Sequence, residues 1–426
     1  MNWKTVVFSI IFALIFFDPY FFNIPFGPLR LTLLRLVIIC IFLFMLINIY
    51  LKKEQLDLKN IKWPLIFYGL WFYYGGMSLI WATNKTSGIK ELYYFAIFLM
   101  LMIVLIYLLR HVKDSYIYRS FWLIGLLIVI IAFLEFFLNI HLPTSRFVVE
   151  AERFEFFEFK RATAFFYNEN DLALFLVMIF PFYLLGLFGK KRFFLKVINF
   201  LMVLSIFLIN FVNNSRLALI ALFLQLGLLI VIRKKNWLYK GVRLFLLFLP
   251  TILIVSVILG SHLIRNIDIP ENFLEGTGST VIRINLFFNS LYMTFHSFML
   301  GVGPGNYQFN VNPMFNTQGI INPHNWWLEI LTNYGLFIFV GYCCFFLYII
   351  VRLYKIYKYE MYKNELAFIL FLSMCGFSIA CIGPSSLFYF WPQWLIHGVI
   401  LAFIAKSSDL NYSLDSIRYE RALEKR

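Results

Sequence analysis

The sequence predicts an all-α integral membrane protein, a single polytopic domain over residues 1–426 with about twelve transmembrane helices. Three observations predict it. The chain is 62% hydrophobic and only 14% charged, outside the range of soluble domains. Its apolar runs reach roughly 20 residues, long enough to cross a hydrocarbon core of roughly 30 Å as helix. No stretch alternates with period two as a membrane β-barrel would.

The expected span cores, in order, are 6–22, 31–51, 63–82, 91–109, 120–140, 168–188, 193–210, 215–232, 244–263, 326–351, 364–383 and 387–405. The first is not followed by a small-residue cleavage site and is read as a retained span. The second and fifth contain charges, Arg35 and Glu135, that read as deep in the bilayer. The sixth starts among Asn168, Asn170 and Asp171, which offer N-caps, and the tenth starts after Asn325, another cap. Cys40, Cys343, Cys344, Cys375 and Cys381 all fall inside apolar runs, so neither a disulfide framework nor a metal cluster is expected.

The formal charge of +15 would suggest nucleic acid in a soluble domain, but its distribution is topological. With a cytoplasmic N-terminus, 26 of the 37 Lys and Arg residues fall in inside segments and 10 outside, Arg35 being the remaining one. This is the positive-inside pattern. It predicts a multi-pass membrane protein with cytoplasmic termini and a cytoplasmic tail at 406–426. Nucleic acid drops out as a partner, and membrane lipid takes its place.

Two segments resemble spans without being expected to be spans. Residues 141–167 interleave glutamates with phenylalanines and read as an outside interfacial belt. Residues 280–300 carry Arg283, Asn285, Asn289 and His296, with apolar residues at helical spacing, and are expected as an amphipathic helix on the outer leaflet. That helix lies in the largest polar excursion, the extracytoplasmic loop 264–325 between spans nine and ten. Its "GVGPGN" turn lacks the preceding strand and following helix of a phosphate-cradling loop.

Charged side chains at a helix centre cost about 2.5–3.5 kcal/mol on insertion scales, so charges kept near the bilayer need a reason. On the outer side these are Arg161, Arg216, Arg283 and His324. Taken singly, the arginines also fit snorkelling to lipid phosphate, and His324 fits a solvated loop. Glu329, one turn into the tenth span, fits a helix-start glutamate or an arginine partner. Trp326 and Trp327 read as interfacial anchors.

Four segments, in order, resemble the O-antigen ligase and O-antigen polymerase superfamily. They are "KRATAFFYNENDLALF", "NNSRLALIALFLQL", "VIRINLFFNSLYMTFHSFMLGVGPGNYQF" and "PHNWWLEILTNYGLFIFVGY". The resemblance covers roughly residues 160–345. It departs from the family in "GLFIF", which lacks a second glycine often seen after Gly-Leu. It implies a glycosyltransferase that moves a glycan from an undecaprenyl-diphosphate-linked oligosaccharide donor to an acceptor glycan or glycolipid outside the membrane, with no cofactor and no metal. It implies His324 as the catalytic base, Arg216 and Arg283 as diphosphate-binding residues with Arg161 as a third, and Asn325 and Glu329 in support. The motifs serve polymerase and ligase alike; a polymerase of a cell-surface polysaccharide is favoured. The alternative is a lipid-linked oligosaccharide flippase or polysaccharide exporter, which should line a central cavity with deep charges such as Arg35 and Glu135.

Overall fold

The computed structural model describes residues 2–20, 23–27, 29–52, 58–150, 161–188, 192–233, 279–359, 364–384, 386 and 388–423. Their order is α1 (Trp3–Phe17), β1 (Asn23–Phe26), β2 (Leu29–Thr32), α2 (Leu33–Lys52), α3 (Lys62–Ser78), α4 (Lys85–Leu109) and α5 (Asp114–Leu138). Then come α6 (Arg146–Val149), α7 (Glu169–Gly186), α8 (Phe193–Val212), α9 (Arg216–Arg233), α10 (Ser279–His296), α11 (Trp326–Tyr359), α12 (Glu365–Ala380) and α13 (Trp391–Leu423).

Eleven of the twelve expected span cores are occupied by helices: α1 to α5, α7 to α9 and α11 to α13. The remaining one, 244–263, lies outside the described residues, as do 151–160 and 264–278 of the two outer segments. Among the described residues, α2, α4, α5, α7, α8, α9 and α11 are long and apolar enough to cross a membrane, while α1 and α12 are shorter apolar helices.

Helix starts are set by asparagine. Asn2, Asn84, Asn168, Asn325 and Asn364 each turn their side-chain oxygen onto first-turn amides, the groups a helix cannot satisfy itself. Nearly every residue of α7 is buried; it packs against α5, α8, α9 and α12, while α4 packs against α1, α2, α3 and α13. Helix α11 joins the two groups through α3 and α12.

Three expectations need correction. A β-hairpin stands where only helix and loop were expected. Asp18 stops α1 and accepts the Leu34 N–H at 2.7 Å, and β1 pairs antiparallel with β2 across Gly27, whose φ is +59°. Span two therefore starts at Leu33. Arg35 lies in its first turn, donates to the Arg30 carbonyl and sits over the Tyr94 ring at 4.5 Å. Glu135 is likewise in the last turn of α5, so neither charge is deep.

Trp326 and Trp327 are not surface anchors. They are 1% and 4% exposed, and their indole N–H groups donate to Tyr342 Oη at 2.9 Å and Ser378 O at 3.1 Å. Trp326 packs with Trp71, Phe388 and Trp394, and Trp327 with Tyr342 and Phe346.

Helix α10 forms as expected, but its polar side is the buried one. Asn285, Asn289, Ser290 and Thr294 are buried. Asn285 donates to Asn316 O at 2.8 Å, and Asn289 accepts from Asn312 N at 3.2 Å. The polar stripe holds the following loop rather than facing water.

Helix α11 is broken at Gly335, where φ is +78° and ψ 178°. The "GVGPGN" segment repairs the break: Val302 N donates to Thr332 O at 2.8 Å, Gly303 N to Asn333 O at 2.9 Å, and Leu336 N to Met299 O at 2.8 Å. A membrane helix cannot leave broken carbonyls bare, so backbone from elsewhere takes their place. The fit needs glycine on both sides. A Cβ on Gly301 would stand 2.5 Å from Gly335 N, and one on Gly335 2.3 Å from Met299 O.

Candidate active site

The break makes Trp326–Tyr334 a short half-helix, and His324 stands just before it. His324 has φ +49°, a left-handed conformation that puts its ring back toward the end of α12. Two contacts pin it there. Trp326 N donates to Cys381 O at 3.1 Å, and His324 Nδ1 lies 3.5 Å from Gly383 O. With Nδ1 donating to that carbonyl, Nε2 keeps its lone pair. Burial, and then the charges of Arg283 and Arg146, push the histidine pKa down to about 4. It is a neutral base at neutral pH.

Arg283, early in α10, and Arg216, the first residue of α9, come close enough to act on each other. Burial and the Arg216 charge both lower the Arg283 pKa, though a guanidinium stays charged. Among the described residues neither arginine has an ion-pair partner. Arg216 also sits at the positive end of its helix dipole, which disfavours a cation by about 0.3–1 kcal/mol. The Ser215 hydroxyl beside it is buried and makes no hydrogen bond among the described residues. Two guanidiniums without an ion-pair partner among the described residues, one of them at a helix start, have the chemistry to hold an anion.

Arg161 donates to Glu169 Oε1 at 3.0 Å. The same oxygen accepts from Arg146 at 2.5 Å. Glu169 is in the first turn of α7, buried beneath both arginines. Glu169 thus links Arg161 to Arg146, whose charge acts on His324, while Arg216 acts on Arg283 and Arg283 on His324.

The two supporting residues do something plainer. Asn325 spends its side-chain oxygen on the N–H groups of Trp327 at 3.0 Å and Leu328 at 3.4 Å, so it shapes the turn behind the histidine. Glu329 accepts from Ser386 Oγ. It belongs to a buried group with Glu91, which accepts from Tyr334 Oη at 2.7 Å.

Sequence reasoning missed Arg146. It lies among apolar residues that read as an interfacial belt, yet its charge acts on His324 and its N–H donates to Tyr167 O at 2.7 Å. A signal was present: Ser145-Arg146, like Ser215-Arg216, is a serine–arginine pair at a helix start.

The family model described as O-Antigen ligase matches residues 199–343, which include Arg216, Arg283, His324, Asn325 and Glu329 but neither Arg146 nor Arg161. Teichuronic acid biosynthesis protein TuaE of Bacillus subtilis (strain 168) is 28% identical over 415 residues, 93% of this chain and 83% of that protein. No solved structure matches the chain. Over residues 199–343 the chain is thus similar to the O-antigen ligase family, and over most of its length to a protein of teichuronic acid biosynthesis.

Proposed function

We propose that this protein is a polyprenyl-diphosphate-dependent glycosyltransferase that polymerises glycan repeat units on the outer face of the cytoplasmic membrane. The observation that carries the reading is a buried histidine held on the Gly383 carbonyl beside Arg283, which in turn lies near Arg216, neither arginine having an ion-pair partner among the described residues. The donor is an undecaprenyl-diphosphate-linked oligosaccharide; the acceptor is a growing glycan or glycolipid. In this reading the bundle has twelve spans, both termini are cytoplasmic, and 264–325 is the outer loop.

The chemistry follows from the residues. Arg216 and Arg283 hold the diphosphate by bidentate, charge-assisted bonds. His324 Nε2 takes the proton from the acceptor hydroxyl as its oxygen forms a bond to the anomeric carbon. The bond from that carbon to the phosphate oxygen breaks on the opposite face, so the centre inverts. The arginines stabilise the charge that develops on the departing undecaprenyl diphosphate. Guanidiniums fill the part that a divalent cation plays elsewhere, so this mechanism calls for no metal. The similarity to a protein of teichuronic acid biosynthesis supports a cell-surface polysaccharide as product.

The rival reading is a flippase or exporter. The tight bonding of Arg35 and Glu135 at helix ends favours the enzyme, since neither charge is left to line a translocation path. Chain-length analysis of polysaccharide from wild type and His324→Ala tests both. Loss of the base should lower transfer about 10²- to 10⁴-fold. Loss of long chains with single repeat units still capped on the acceptor is expected for a polymerase. Polymer accumulating on the carrier would make the protein a ligase. Unchanged polymer in His324→Ala, together with loss in Arg35 or Glu135 variants, would make it a transporter.

A further inference from the structure

Arg161 belongs to a long outer loop, yet the residues that follow it are held by buried side chains from two other elements. Glu135, 2% exposed, accepts the N–H groups of Thr163 at 2.6 Å and Ala164 at 2.8 Å on one oxygen. Its other oxygen accepts Leu142 N at 3.3 Å. Asn213, 3% exposed, pairs twice with the main chain of Ala162. The Ala162 N–H donates to Asn213 Oδ1 at 3.0 Å, and Asn213 Nδ2 donates to Ala162 O at 2.9 Å.

Asn213 is the C-cap of α8, and it fills that place through its own N–H on Ile209 O. The side chain is therefore not needed to end the helix. Three residues later the same turn delivers Arg216, with Ser215 N donating to Asn210 O at 2.9 Å and Arg216 N to Asn214 O at 3.0 Å. A buried amide satisfied twice by one residue fixes two backbones in register, as a strand pair does. The residue before Ala162 is Arg161; the turn that bears the amide ends in Arg216.

We propose that Asn213 is a positioning residue, which clips the Arg161 loop to the Arg216 turn so that the Arg161 guanidinium meets the donor diphosphate beside that of Arg216. The proposal rests on the transferase reading above. A grip on the diphosphate exists in the ground state, so its loss raises the donor KM more than it lowers kcat.

The test is a double-mutant cycle on the full-length enzyme in proteoliposomes, with a lipid-diphosphate-linked repeat unit as donor. Asn213→Ala should raise the donor KM about tenfold with kcat within about twofold. In an Arg161→Ala background it should add nothing, because the clip acts through Arg161. An unchanged KM in Asn213→Ala, or losses that multiply in the double variant, overturns the proposal. Should Asn213→Ala not accumulate, Asn213→Ser, which reaches one of the two Ala162 groups, goes through the same cycle with the same deciding outcomes. If Arg216→Ala and Arg161→Ala both leave the donor KM unchanged, the transferase reading falls. If Arg216→Ala raises it while Asn213→Ala or Arg161→Ala does not, the clip alone falls.

Discussion

His324 is held in its neutral form at neutral pH because its surroundings make the imidazolium expensive. Water is largely excluded and two guanidiniums act on the ring, so the pKa is pushed down to about 4. The sign of the pH dependence follows. In the proposed reaction the neutral form is the working form, and lowering the pH removes it only as the medium approaches that value. The acid limb of kcat/KM should have its midpoint near pH 4, where an ordinary solvated histidine would give about 6.5. A measured midpoint near 6.5 would mean that the ring is solvated and the arginines are elsewhere. The sequence supplied the histidine and three of the arginines because each is a charge where charges are costly. It did not supply Arg146, Asn213 or the clasp at Glu169. Each of these matters through a partner far along the chain, and no local spacing records such a pairing.

Among the elements, α11 departs most from its sequence pattern. An apolar run through "TNYGLFIFVGY" reads as one continuous helix, and only the main chain reveals the interruption at Gly335. The left-handed φ there costs a non-glycine residue about 1–2 kcal/mol, and a Cβ would stand 2.3 Å from the Met299 carbonyl. Gly335→Ala should therefore lower stability in detergent by at least about 2 kcal/mol. Gly227→Ala in α9, where no atom lies within 4 Å of the added carbon, should be neutral or stabilising by up to about 1 kcal/mol. Paired thermal-aggregation midpoints measure both; equal midpoints would argue that α11 runs straight. The helices themselves were legible because apolar length is a one-dimensional property. The hairpin at 23–32 was not, being created by Asp18 reaching the Leu34 amide. Nor was the burial of Trp326 and Trp327, since a tryptophan at a helix start looks alike whether lipid or protein covers it.

For the whole molecule, the distribution of basic residues is the ground for the proposed orientation, and that is open to direct measurement. Gln318→Cys should react with a membrane-impermeant maleimide in intact cells, and Lys113→Cys only after permeabilisation. The reverse pattern would invert the topology and put His324 on the cytoplasmic side. The native cysteines suit such an experiment: Cys343, Cys375 and Cys381 are buried, and Cys40 and Cys344 are exposed only along apolar helices.

The supports of the half-helix behind His324 are largely main chain. Trp326 is tied to Cys381, Val302 and Gly303 to the ends of the half-helix, and Leu336 to Met299, each by one backbone group on another. Bonds of this kind ask nothing of the side chains that flank them. Selection can thus rewrite most of the lining, to suit another sugar or another lipid, without moving the histidine. What it cannot rewrite are the few positions where a side chain would not fit. In distant relatives, the glycines at the positions of Gly301 and Gly335 should mark the site more dependably than the aromatic residues around it.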